Sequence, residues 1–175
     1  MIHATTAPQT SFSAIARANA AWNLWANNTL LVWLETKPPE LLDTEVASSF
    51  SSIRKTLRHL WTVQDWWLAN MAGEEPEFTY GEVYTGTVKE AMEGLANSSR
   101  RLNSYFESLS AEEMADTCSV NIPFTGDFDI SRFEMMQHVA NHSAYHRGQV
   151  TTIGRNVGLT DAPMTDYMYW NLLAR

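Results

Sequence analysis

At 175 residues, with 45% hydrophobic and only 18% charged side chains, the chain suits one globular domain with a substantial core and excludes a disordered one. A formal net charge of −8, with no Lys/Arg run longer than Arg100-Arg101, excludes the basic footprint that nucleic acid or an anionic membrane surface requires. The single cysteine, Cys118, cannot form an internal disulfide; Met1 to Thr10 carries no secretory signal and no stretch of about eighteen apolar residues occurs, so the expected setting is cytoplasmic.

A first helix is predicted from Ser11 or Ser13, either of which can cap it, through Phe12, Ile15, Trp22, Trp25, Leu30 and Leu34 to about Thr36. Pro38-Pro39 stops it. Trp22 and Trp25 read as core or subunit-interface residues rather than a ligand stack. A loop leads to Ser48-Ser49, and a second helix runs from about Ser51 to Met71 on an apolar stripe that includes Ile53, Leu57, Leu60, Trp67 and Leu68. Gly73 is its stop, and His59 lies in its middle. Residues Gly73 to Gly86 read as a loop whose Phe78, Tyr80 and Tyr84 pack against the bundle rather than fold over a cavity.

Thr87-Val-Lys-Glu90 is a capping box for a third helix reaching about Ser108, and Ser110-Ala-Glu-Glu113 opens one further short turn. From Asp116 to Ile130 the period changes to two: Cys118, Val120 and Ile122 alternate with Ser119 and Asn121, and Phe124-Thr-Gly-Asp-Phe128 reads as the turn of a small hairpin. Ser131 caps a fourth helix to about Val157, with Gly158 past its end. Gly148 and Gly154 inside it are expected to permit close helix contact. A last short helix starts at Thr165-Asp166 and runs through Tyr169, Trp170, Leu172 and Leu173. Residues 1–175 are therefore expected to form a single all-α domain, a four-helix bundle with a hairpin in the connection before its fourth helix.

That fourth helix holds three of the five histidines, His138, His142 and His146. Each step of four residues advances the direction by about 40°, so neighbours in the series share a face one turn apart. Two imidazoles so spaced can bind one metal ion from the same side. Spacing leaves two pairs open, His138/His142 and His142/His146; the outer two lie about 12 Å apart along the axis, too far to share an ion. A third ligand must come from a facing helix, and His59 is the one histidine in the first three helices; His3 sits in the N-terminal tail and is set aside. Three imidazoles with an open position suit Zn²⁺ or Ni²⁺.

The run His142-Ser-Ala-Tyr-His146-Arg147-Gly148-Gln149, preceded by His138-Val-Ala-Asn, resembles the H-x3-H-x3-H-R-G-Q signature of the DinB-like proteins. The segment from Leu57 through His59 to Trp66-Trp67 resembles that family's second-helix motif, the hairpin before the last long helix also fits the family, and the C-terminal Thr165-Asp166-Tyr167-Met168-Tyr169 is similar to its ending. The resemblance implies an up-down-down-up bundle, often a homodimer, with a divalent metal on His59, His142 and His146. It makes His138 a packing or supporting residue. Related YfiT-like and mycothiol-dependent proteins imply a metal-dependent hydrolase or thiol S-transferase acting on a small molecule, with a low-molecular-weight thiol as a possible cofactor, or a non-catalytic metal- or ligand-binding stress protein. Homodimerisation is expected also from the tryptophan-rich helices. No general base is evident: Asp65 and Tyr145 are both set off the ligand face by their helical positions.

Overall fold

The structure, a computed structural model, describes residues 11–76 and 83–175, so that His3, Phe78 and Tyr80 lie outside the described residues. Four long helices form the body: α1 (Phe12–Glu35), α3 (Ile53–Ala72), α4 (Val88–Ser108) and α6 (Arg132–Asn156). Shorter elements join them: α2 (Pro39–Leu42), α5 (Ala111–Ala115), and the antiparallel strands β1 (Thr117–Ile122) and β2 (Gly126–Ser131). The chain ends in α7 (Tyr167–Tyr169), which passes into a π-helical turn over Trp170–Ala174.

Local chemistry sets the helix starts. Ser11, Ser52, Thr87, Ser110 and Ser131 each accept a backbone N–H three residues on. At Thr87, Ser110 and Ser131 the reciprocal Glu90, Glu113 and Glu134 complete a capping box. Each such cap stabilises its helix by about 1 kcal/mol. Gly73 ends α3 at φ 72°, a left-handed conformation that a side chain would resist. One element departs from the sequence expectation. Pro38-Pro39 does stop α1, but the residues beyond it are not all loop: Pro39 takes the first position of α2, where its missing N–H costs nothing.

Cross-links at the ends show the order of the helices. Arg17 near the start of α1 donates to the carbonyl of Leu109 just past α4, and Asn19 reaches Gln137 near the start of α6 at 3.4 Å. Tyr105 late in α4 and Arg132 at the start of α6 both donate to Met71 O at the end of α3, at 2.5 and 2.9 Å. Thus α1 and α6 run one way and α3 and α4 the other, an up-down-down-up bundle. α1 and α3 each pack against both α4 and α6. Cys118 Sγ, half-buried on β1, also approaches Met71 O, at 3.7 Å, and so helps pin the hairpin to the base of α3.

The core is in two parts. One holds Ala20, Trp67, Met71, Phe106 and Met135; the other holds Leu30, Leu57, Leu60, Leu95 and Ile153. Between them in sequence on every long helix lie buried polar residues: Asn23 and Asn27 on α1, Gln64 on α3, Ser98 and Ser99 on α4, Arg147 on α6. Close approach of helices is bought with glycine at Gly94, where a Cβ would collide with the Trp61 ring, and at Gly154, where it would stand 3.1 Å from Trp33. Gly148, expected to do the same, faces open space and makes no such contact. All seven tryptophans are buried or half-buried within the one chain; Trp25 stacks on Tyr169, and Trp22 Nε1 donates to Thr165 O. Among the described residues no helix is long and apolar enough to cross a membrane.

Candidate metal centre

The facing surfaces of α3 and α6 bring three imidazoles to a point. His142 and His146 stand one turn apart on α6, and His59 meets them from α3. The Nε2 atoms form a near-equilateral triangle: 3.1 Å from His59 to His142, 3.1 Å from His59 to His146, and 3.0 Å from His142 to His146. Among the described residues this is the cluster of ligand-type side chains that converges closely enough for one ion. Four ligands at about 2.0–2.1 Å from a zinc ion in tetrahedral array stand roughly 3.3 Å apart, so the triangle needs to open by only ~0.3 Å.

The electrostatics of the donors match. Burial, and secondarily the charge His146 would carry, pull His59 down to about 4. Burial and then the neighbouring charges of His146, His59 and His138 pull His142 down to about 3. Burial lowers His146 as well, opposed by its hydrogen bond to Gln149. All three rings are therefore neutral at pH 7, the form that ligates metal. His146 Nδ1–H donates to Gln149 Oε1 at 2.7 Å, which leaves the lone pair of His146 on Nε2, aimed at the other two rings. Three neutral imidazoles with their Nε2 atoms together cannot all satisfy one another by hydrogen bonding, whereas one cation satisfies them all.

The series of α6 histidines is thus divided. His138 lies a turn away with its ring 4.8 Å from that of Trp67 and 5.8 Å from that of His142, outside the triangle. The 40° step per turn explains it: by His138 the side chain has swung toward the Trp67 end of α3. Asp65 is committed elsewhere, accepting Trp61 Nε1 at 2.8 Å and pairing with Arg101 at 3.3 Å. Tyr145, 63% exposed, touches the site from behind, its hydroxyl accepting from Gln149 Nε2 at 3.1 Å.

Three contributors have roles that the sequence alone does not assign. Gln149 holds His146 and also donates to Ser49 Oγ at 3.2 Å, tying the segment before α3 to the site. Phe50 on that segment stacks on His59, with ring centroids 4.1 Å apart and planes at 23°, and comes within 5.6 Å of His146. Gln149 was legible in principle, since it sits three residues from His146 on the same helix face. Phe50 was not, because nothing in a loop sequence says where the loop crosses. Arg147 is the third. It is 2% exposed, its Nη1 donates to both Asn23 Oδ1 and Asn27 Oδ1 at 2.9 Å, and its guanidinium lies 4.8 Å over the Trp22 ring. Burial lowers it to about 10, which leaves it a cation at neutral pH.

An up-down-down-up bundle with three histidines converging between its second and fourth long helices defines a recognisable class of protein. The sequence model of the DinB family matches residues 11–173, and the chain belongs to that family. It is 28% identical over 155 residues to the protein DinB of Bacillus subtilis strain 168, covering 83% of this chain and 87% of that one. Among solved structures it is similar to YfiT of Bacillus subtilis, described as a probable metal-dependent hydrolase with an unusual four-helix bundle topology, with a TM-score of 0.68, 15% identity, and 89% and 95% of the two chains covered. A conserved protein of Enterococcus faecalis has the same fold, with a TM-score of 0.61, 15% identity, and 79% and 94% covered.

Proposed function

We propose that this protein is a divalent-metal-dependent enzyme acting on a small molecule, with its ion held by His59, His142 and His146. The observation that carries the reading is the convergence of three neutral imidazoles on one point, their Nε2 atoms 3.0–3.1 Å apart. Three nitrogen donors suit Zn²⁺ or Ni²⁺ and leave coordination free for a ligand from solution. An ion bound there supplies Lewis acidity, polarising a substrate oxygen or lowering the proton affinity of a nucleophile, either water or a low-molecular-weight thiol.

The chain's own residues prepare that place. Gln149 fixes the tautomer and orientation of His146. Phe50 excludes water from one face of His59. Asp65 is held by Trp61 and Arg101 and does not serve as the base. What YfiT is described as doing favours hydrolysis as the reaction class. The family also supports a homodimer as the working form.

Elemental analysis of the purified protein tests the ligand set. One equivalent of divalent metal is expected in the wild type and a small fraction of that in His59→Ala; stoichiometric metal in the variant contradicts the assignment. Turnover of ester and amide substrates is then measured at full zinc or nickel occupancy, with and without added thiols. Turnover lost in His59→Ala supports an enzyme, and none with any substrate leaves a metal-binding protein.

A further inference from the structure

The two helices that carry the histidines are indexed to the same side chain on a third. Asn23 of α1, fully buried, donates through Nδ2 to Gln64 Oε1 of α3 at 2.7 Å. Its Oδ1 accepts from Arg147 Nη1 of α6 at 2.9 Å. Gln64 lies five residues beyond His59, and Arg147 directly follows His146. Gln64 Nε2 continues to Ser98 Oγ of α4 at 2.8 Å, so one hydrogen-bonded layer crosses all four long helices between the two halves of the core.

Stability does not account for this layer. Arg147 has no carboxylate partner there, and its buried Nε and Nη2 have no acceptor among the described residues. Two amide oxygens and the Trp22 ring compensate this buried cation only in part, and apolar residues of similar volume often make a more stable core. What such a layer does supply is a single setting of the helices, because any rotation or slip breaks several buried hydrogen bonds at once. The site requires that setting. Turning α6 by about 20° moves an imidazole nitrogen some 6 Å from the axis by roughly 2 Å, as far as a whole Zn–N bond.

We infer that Asn23, Gln64 and Arg147 are positioning residues for the metal centre, holding α3 and α6 at the rotation and height at which His59 meets His142 and His146. The inference rests on the metal-binding reading above. It makes the polar layer a device for register: the bundle tolerates its loss and the histidine triangle does not.

Cobalt(II) is the probe, with affinity measured by chelator competition, ligand geometry by the visible d–d spectrum, and folding by thermal unfolding of the metal-free protein. The triple variant Asn23→Leu/Gln64→Leu/Arg147→Met removes the layer without stranding one of these three against another. It is expected to unfold cooperatively, with its midpoint lowered only as far as Asn27 and Ser98, which lose a partner, require, to bind cobalt about tenfold or more weakly, and to show an altered d–d spectrum. The single variant Gln64→Met, close in volume, cuts only the α3 branch and is expected to weaken cobalt in the same direction. It keeps the question open to refutation if the triple variant does not fold. Wild-type affinity and spectrum in a folded triple variant, or in Gln64→Met, overturn the inference while leaving the metal reading intact. A wild-type protein that takes up no cobalt overturns both.

Discussion

Replacing Gln149 by leucine isolates the support that α6 gives to its own His146. Gln149 makes three contacts: Oε1 accepts from His146 Nδ1 at 2.7 Å, and Nε2 donates to Tyr145 Oη at 3.1 Å and to Ser49 Oγ at 3.2 Å. Leucine keeps the side chain as far as Cδ and removes all three. His146 is only 5% exposed, so its Nδ1–H is left with little access to water, a loss of about 1–3 kcal/mol to the metal-free fold. The ring also loses the contact that selects its tautomer. Such orienting partners are typically worth 10–100-fold in metal affinity, or about 1.4–2.7 kcal/mol. Gln149→Glu keeps an acceptor for Nδ1–H and removes the amide donor, so that the Tyr145 and Ser49 hydroxyls can hold it only by donating themselves, and it tests the Nδ1 acceptor apart from the amide donor. Zinc affinity by competition with a chromophoric chelator is expected to fall 10–100-fold in Gln149→Leu and to stay within about threefold of wild type in Gln149→Glu. Equal weakening in both variants refutes the tautomer argument and shifts the role to the tie with Tyr145 and Ser49.

The metal-free protein should lose stability in mild acid. His59 at about 4 and His142 at about 3 lie below their ordinary value of 6.5, so below pH 6.5 the unfolded chain takes up protons that the folded chain refuses. Stability is full above pH 6.5 and declines until the folded groups titrate near pH 4 and 3; at pH 5 the two account for a loss of roughly 2 kcal/mol after allowance for partial solvent screening. Urea midpoints that do not fall between pH 7.5 and 5, or that fall as steeply in a His59→Ala/His142→Ala variant, contradict this. Homodimerisation is testable at the C-terminal segment, where Met168, Leu172 and Leu173 are 57%, 69% and 76% exposed. Light scattering at micromolar protein is expected to give twice the chain mass of 19.8 kDa, falling to one chain in Leu172→Glu/Leu173→Glu; a wild-type monomer counts against the dimer.

The helices were legible because their signals are local. Thr87 with Glu90 and Ser131 with Glu134 announce helix starts within four residues of chain, and both capping boxes form. The short helix at Pro39 was not, since the same proline that ends one helix is a suitable first residue for the next. The histidine spacing brought the site down to two candidate pairs on α6, and periodicity could go no further, because both pairs subtend the same 40°. The H-x3-H-R-G-Q resemblance picks His142 and His146, but the physical reason, which turn of α6 faces His59, is a property of packing between segments 83 and 87 residues apart. The layer at Asn23 and Arg147 was invisible for the same reason: its members are 124 residues apart, and singly each reads as an ordinary polar interruption of an apolar stripe. Gly148 misled because a glycine inside a helix signals missing bulk without saying what, if anything, fills the space.

The distance along the chain between His59 and His146 has a consequence for chain entropy. The two α6 histidines are neighbours in any helical segment, whereas His59 joins them only when a loop of 87 residues closes. An ion shared by all three would act as a crosslink across half the molecule, in a chain whose single cysteine cannot form an internal disulfide. Unlike a disulfide, that crosslink is set by free metal concentration, so the same three side chains would let the resistance of the chain to unfolding follow metal supply.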